Sequence, residues 1–401
     1  MTEKTNIPQG YKDSPLGIIP QDWEVKRLGD CFEIAAGRDL EKDHYSPIRT
    51  SQYPYPIFSN SLENRGLYGY TAVPRHKANS ITITGRGSLG HAEYRQQDFD
   101  AIIRLLVLTP KIKISCKLIT EYINFITPFI YESTGVPQLT APQIKNTQLL
   151  LPPYNEQIYI TEVLDYWDTA IEKQSVLIEK LKLRKRALMQ QLLTGKKRLP
   201  GFSGEWKRIK LGDIAERITR KNEEDNKNVV TISAQRGFVV QTDFFNKSVA
   251  SETLDNYYLV HKDEFCYNKS YSNGYPMGAI KRLRAFDKAV VTTLYICFKL
   301  KDLSNINIDF FEQYCESGIF NKELVKVANE GGRAHGLLNV TPSDFFNMYM
   351  RIPSIDEQNA IAAVLVNVDK EIELVNEKLA SLQSQKRGLM QQLLTGKKRI
   401  K

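Results

Sequence analysis

The chain has 401 residues, 42% of them apolar and 25% charged, enough for two or three domains that bury cores without disulfides. No run of ~18 apolar residues occurs, and the polar opening "MTEKTNIPQG" lacks the apolar centre of a signal peptide, so the expected location is cytoplasmic. A net charge of +9, from 55 Lys and Arg against 46 Asp and Glu, points to a polyanionic partner such as DNA or RNA.

Trp23 and the tripeptide "LGD" (Leu28 to Asp30) open a stretch in which "YPIFSNS", "GLYGYTAV", "SITITGRGSLGHAEY" and "AIIRLLVL" predict short strands, and "KLITEYINFI" predicts a helix near Lys117. β-Branched and aromatic residues alternating between Gly, Asn and Asp turns predict an α+β domain. After "LPPY" (Leu151 to Tyr154) comes a proline-free segment with a heptad seam. Its positions Ile160, Leu164, Trp167, Ile171, Gln174, Ile178, Leu181, Lys185, Leu188 and Leu192 alternate steps of four and three. The segment runs out in "LMQQLLTGKKR", with Gly195 where a helix C-terminus favours glycine. Trp206 and a second "LGD" (Leu211 to Asp213) then open the strands "NVVTISA", "GFVV", "EFCYNKS", "MGAIKRL" and "AVVTTLYICFKL" and a helix from "NIDFFEQYC". A second seam follows: Ile361, Leu365, Val368, Ile372, Val375, Leu379, Leu382, Lys386, Leu389 and Leu393, ending at Gly396.

The two halves are copies. A shift of 201 positions lays "KRALMQQLLTGKKR" (from Lys185) on "KRGLMQQLLTGKKR" (from Lys386), with Ala187 exchanged for Gly388, and carries Glu156-Gln157 onto Glu357-Gln358. A shift of 183 aligns the two tryptophans and the two "LGD" phrases, so one unit was duplicated and the middles diverged. Each periodic segment predicts a helix of about 38 residues, roughly 57 Å long. Neither helix has a globular face of its own to hide its seam, so the simplest partner of each is the other; the alternative is two separate helices, each packed on its own domain. Self-complementary copies imply a pseudo-two-fold axis and antiparallel helices. Lysines at matched seam positions, Lys185 and Lys386, suggest a fixed register. The expected architecture is α+β: two globular target-recognition domains (1–151 and 199–351) separated by two long antiparallel coiled-coil helices (152–198 and 352–401).

Chemistry of the chain's own is hard to find. The five cysteines (Cys31, Cys116, Cys266, Cys297, Cys315) are scattered and read as reduced core residues, and no CxxC or close His/Cys pair suggests a metal. "GRGSLG" at Gly85 to Gly90 follows a strand, but "HAEYRQQDFD" after it is no helix start, as a dinucleotide site requires. "LTGKK" has Lys197 where a phosphate loop needs Ser or Thr, and Leu151 in "LPPY" cannot hold a target amine as the first residue of an amino-methyltransferase motif does.

The chain resembles the specificity subunits of Type I restriction-modification systems along nearly its whole length. The resemblance is carried by "IPQDWEVKRLGD" and "FSGEWKRIKLGD", by "GVPQLTAPQIKNTQLLLPPYNEQ" and "GLLNVTPSDFFNMYMRIPSIDEQ", and by the two "LMQQLLTGKKR" helix ends. It implies a non-catalytic reader of double-stranded DNA whose two domains each read half of a bipartite site. Two modification (methyltransferase) subunits would dock on it, restriction subunits would join them, and no membrane is involved. No cofactor is expected in this chain: S-adenosylmethionine would belong to the modification partners, ATP and Mg to the restriction partners. Readers in opposite orientations and of different sequence predict inverted, unlike half-sites. A rod of ~57 Å at 3.4 Å per base pair bounds the gap at roughly 17 base pairs.

Base and phosphate contacts call for Arg, Lys, Asn, Gln, Ser or Thr on loops. The candidates in the first domain are Ser59, Asn60 and Ser61, then Arg86, Ser88 and His91 around the glycine turn, and Gln138 and Thr140. In the second they are Gln235 and Arg236, then Asn268, Lys269, Ser270, Tyr271 and Asn273, and Arg333 and His335. The basic run from Lys180 to Arg198, eight Lys or Arg, is a further candidate for following phosphates. Two rival readings are a two-headed coiled-coil scaffold for protein partners, which would fail to bind duplex DNA, and a self-contained methyltransferase, which would need a cofactor pocket.

Overall fold

The computed structural model describes residues 7–126, 129, 137–242, 254–328 and 338–400. The chain divides into two compact units, one made of Met1–Gln174 with Lys378–Lys401 and one of Ser175–Glu377. Both are α+β. The divide falls inside the two long helices, Tyr154–Leu192 and Ile355–Leu393, each of 39 residues, so each unit holds the first part of one and the last part of the other.

In the first unit the central antiparallel sheet has the order Phe32–Ala36, Leu106–Pro110, Ser80–Ile83, Ala92–Arg95. In the second the order Ala215–Ile218, Ile296–Leu300, Phe265–Asn268, Ala279–Arg282 repeats the same connectivity. A helix follows in each (Cys116–Ile126 and Ile308–Glu316), then a short proline-led helix (Ala141–Lys145 and Pro342–Phe346) and a strand (Gln148–Leu151 and Tyr349–Ile352). That strand pairs with the segment after the tryptophan, Glu24–Arg27 or Lys207–Lys210, and so closes the domain beside the start of its long helix. The inner strands are buried along nearly their whole length in both units, as Ser80–Ile83 and Phe265–Asn268 are, although their residues differ.

"AIIRLLVL" and "AVVTTLYICFKL" are each two strands, not one. The first breaks between Asp100–Ala101 and Leu106–Pro110, which belong to different sheets, and the second between Lys288–Val291 and Ile296–Leu300. In the first break Ile103 (φ 56°) and Arg104 (φ 60°) are both left-handed, and Leu105 N–H donates to Ile102 O at 3.1 Å. A β-branched residue in that region costs about 1–2 kcal/mol, and nothing in "AIIRLL" signals such a turn.

The duplicated phrases meet in two junctions. Each long helix ends on a left-handed glycine, Gly195 (φ 70°) or Gly396 (φ 71°), which lies 3.4 Å from Trp206 or 3.3 Å from Trp23 at the position a Cβ would take. Three residues on, Arg198 donates to both oxygens of Glu357, and Arg399 to both oxygens of Glu156. The neighbouring glutamines fasten each helix start: Gln157 accepts from Ser115 N–H (2.9 Å) and donates to Pro152 O (2.8 Å), while Gln358 accepts from Asn307 N–H (3.0 Å) and donates to Pro353 O (3.1 Å). Thus the end of one helix completes the domain at the start of the other.

Every seam position is buried or half-buried. The partner differs from the simplest expectation, because the seam ends sink into the globular cores: Ile160, Leu164 and Leu393 pack with Trp23, Leu28 and Ile119 in the first unit. Burying a leucine of this kind contributes about 1.5–3 kcal/mol. Nearer the helix middles the matched lysines pair across helices, Lys386 with Asp168 at 2.7 Å in the first unit and Lys185 with Asp369 at 2.6 Å in the second. Within each unit, rising numbers on one helix meet falling numbers on the other, so the two segments run antiparallel. Among the described residues no helix is long and apolar enough to cross a membrane.

Candidate nucleic-acid interface

In the first unit, backbone and side-chain bonds tie together four loops that are far apart in sequence. Asn60 donates through Nδ2 to Ile103 O and accepts through Oδ1 from Gly85 N–H, both at 2.7 Å. Gly85 O accepts from Leu139 N–H at 2.9 Å, and a Cβ on Gly85 would stand 2.8 Å from Leu139 O and 3.1 Å from Arg104 O. The first glycine of "GRGSLG" therefore permits a close approach of three backbones. Arg86 reaches Gln138 Oε1 at 3.4 Å across the same cluster.

The remaining candidates sit around it with different duties. Ser59 is buried and closes its own turn onto Gly66 O, and Ser61 accepts from Glu63 N–H. Ser88 is exposed, its carbonyl taking the Thr84 hydroxyl, and His91 Nε2 lies 3.1 Å from Glu93 Oε1. Thr140 precedes the helix Ala141–Lys145, and both its N–H and its hydroxyl donate to Gln143 at 2.7 Å. Thr341 repeats that position, its hydroxyl accepting from Asp344 N–H, so this threonine is a helix cap in both units.

The second unit builds the same cluster from other residues. Leu338 N–H donates to Lys269 O at 3.1 Å, as Leu139 does to Gly85. Asn268 donates to Ile232 O and accepts from Ser270 N–H, which shapes the loop that exposes Tyr271 and Asn273. Gln235 donates to Asn273 O at 2.9 Å, and Arg236 N–H to Ser233 Oγ at 3.2 Å. Burial, with Arg217 close by, lowers the pKa of Lys269, so its ammonium gains when an anion arrives. Arg333 and His335 lie outside the described residues.

Of the eight cations between Lys180 and Arg198, Lys182, Arg184, Lys185 and Arg198 pair with Glu179, Glu371, Asp369 and Glu357. Half the charge of that run is thus neutralised within the fold. Two arginines that sequence reasoning passed over belong to the first cluster, Arg38 and Arg104: both are exposed, and neither pairs with a carboxylate among the described residues. Only their positive charge was visible in the sequence, because what brings them together is the turn at Ile103.

A cluster of loops that offers arginine, lysine and amide groups beside a sheet has the chemistry to meet a polar, anionic surface. A family model described as the Type I restriction modification DNA specificity domain matches residues 20–183 and again 203–384. The specificity subunit of the Type I restriction enzyme MjaVIII from Methanocaldococcus jannaschii is 24% identical, with 98% of each chain covered. A putative type I specificity subunit from Mycoplasma pneumoniae is 30% identical over 39% of this chain and 42% of its own. Among solved structures, the S subunit of a Type-I restriction-modification system from M. genitalium shares the fold with a TM-score of 0.58 at 16% identity, over 98% of this chain and 99% of that one. With its fold, its loop clusters and two matches that span most of its length, the chain belongs to the family of Type I restriction-modification DNA specificity subunits.

Proposed function

We propose that the chain is the non-catalytic reader of a Type I complex, in which residues 1–151 and 199–351 each recognise one half of an asymmetric, interrupted site in double-stranded DNA. Residues 152–198 and 352–401, as an antiparallel coiled coil, set the gap between the halves. Two modification subunits dock on this scaffold and restriction subunits join them, so that S-adenosylmethionine, ATP and Mg are bound by the partners.

The observation that carries this reading is a contrast within each unit. The junctions repeat residue for residue, Arg198–Glu357 matching Arg399–Glu156, whereas the loop clusters on the same sheet topology share almost no side chains. A duplicated frame with unlike loops is what two different half-sites require. The test is long-read sequencing of host DNA with and without this gene, mapping methylated adenines. Loss of one interrupted, asymmetric motif on deletion is expected. An unchanged map in cells that express the chain and its modification partner would overturn the reading and favour a scaffold for proteins.

A further inference from the structure

We propose that the turn Ile102–Leu105 is a wedge that enters the DNA of the first half-site, with the Ile103 side chain pressed against a base step and Arg38 and Arg104 on the phosphates either side. This rests on the reading of the first unit as a half-site reader.

One residue of this turn stands in a conformation its side chain disfavours. Ile103 is left-handed, β-branched and 44% exposed, while its neighbours Ile102 and Leu105 are each 1% exposed. Strain of this kind persists only where the surroundings over-determine it, and here they do. Ile103 N–H donates to Arg38 O (3.0 Å) and Arg104 N–H to Gly37 O (3.1 Å). Ile102 N–H donates to Phe58 O (3.0 Å), and Ile103 O takes the Asn60 amide (2.7 Å). A turn wanted only for its shape would carry Asn-Gly at its tip. Instead the fold holds an aliphatic side chain out to solvent beside two arginines that pair with no carboxylate among the described residues, in the loop cluster of the candidate interface.

The second unit supplies an independent observation. Its equivalent turn, between Val291 and Ile296, also exposes an aliphatic side chain, Leu294, at 58%. It does so by other means, since Leu294 N–H donates to the Thr292 hydroxyl (3.3 Å) and no left-handed residue occurs there. Two diverged domains thus reach one outcome through different backbones. Apolar side chains flanked by cations are the means by which proteins part a base step, the cations holding the phosphates while the wedge replaces lost stacking.

The test uses the full chain assembled with its modification partner and a duplex carrying the mapped motif, with 2-aminopurine placed singly along the first half-site. Binding of the unmodified chain should raise 2-aminopurine fluorescence at one step. Ile103→Asn is the decisive variant, because asparagine tolerates the left-handed conformation. It should melt no lower than the parent yet bind at least tenfold more weakly and lose the fluorescence signal, while Ile103→Leu keeps both. Parent-like binding by Ile103→Asn, or no fluorescence change at any step with the unmodified chain, would overturn the wedge. Neither result would touch the half-site reading, which fails only if the methylation map itself is indifferent to the gene.

Discussion

In the first unit Glu156 accepts from Arg399 and also from the Trp23 indole at 3.0 Å, whereas in the second the matching Glu357 accepts from Arg198, and the buried indole Nε1 of Trp206 has no partner among the described residues. Arg399 is further held by Asp22, at 2.8 Å, and these two carboxylates keep its pKa above the ordinary range. The Arg–Glu pair is common to both junctions, while the tryptophan is kept for the flat surface on which a glycine can lie, and its N–H is used once. The seams differ in the same manner: Lys386 meets Asp168 and Glu121, but Lys185 meets Asp369, which also takes the uncharged Gln313.

Removal of the arginines should destabilise the junctions most. Arg198→Ala strands the buried Glu357 carboxylate without a donor and should lower the melting temperature of the second unit on the order of 5–10 °C. Arg399→Ala leaves Glu156 its indole donor, and calorimetry should find the smaller loss in the first unit. Equal losses would mean that the Trp23 bond is idle. Trp23→Phe and Trp206→Phe take the comparison further. The former removes a hydrogen bond to a buried charge and should cost about 1.5–3 kcal/mol more than the latter in urea unfolding, because the latter removes a donor that has no acceptor. Gly388→Ala makes the two repeats identical. Gly388 is exposed within its helix, with nothing within 4 Å of the position a Cβ would take, so the change should stabilise by about 0.5–1 kcal/mol.

The subtlest contrast is in pH. Burial, partly opposed by Lys386 and reinforced by Asp168, raises the pKa of Glu121. A carboxyl that holds its proton more tightly when folded favours the fold below its unfolded pKa, and that contribution is lost as pH rises through the folded value. Glu121→Gln, which copies Gln313, should therefore raise the stability of the first unit at neutral pH and flatten its decline from acid to neutral. An unchanged slope would show that Glu121 titrates normally.

Much of the frame was legible in the sequence because it repeats. Helix length, the glycine stops, the seam and its lysines all follow from spacing, and the repeated "EQ" marked the junction without revealing that Arg198 and Arg399 complete it. The α+β class followed from alternation. The loops were legible as loops only. Asn60 and Thr140 had the chemistry of readers, yet Asn60 clamps two backbones and Thr140 caps a helix, since short polar side chains bond to nearby main chain as readily as to a ligand. Ile103 was invisible for the opposite reason: its conformation is imposed by bonds from Arg38, Gly37 and Asn60, and local propensity argues for a strand.

The interlaced composition of the units also sets an order of assembly. The second unit is one continuous stretch, Ser175–Glu377, but the first borrows Lys378–Lys401, including Arg399 and the glycine that covers Trp23. On the ribosome, where N-terminal domains ordinarily close first, the residues of the second unit are all made while the first still waits, its tryptophan uncovered, for residues 378–401.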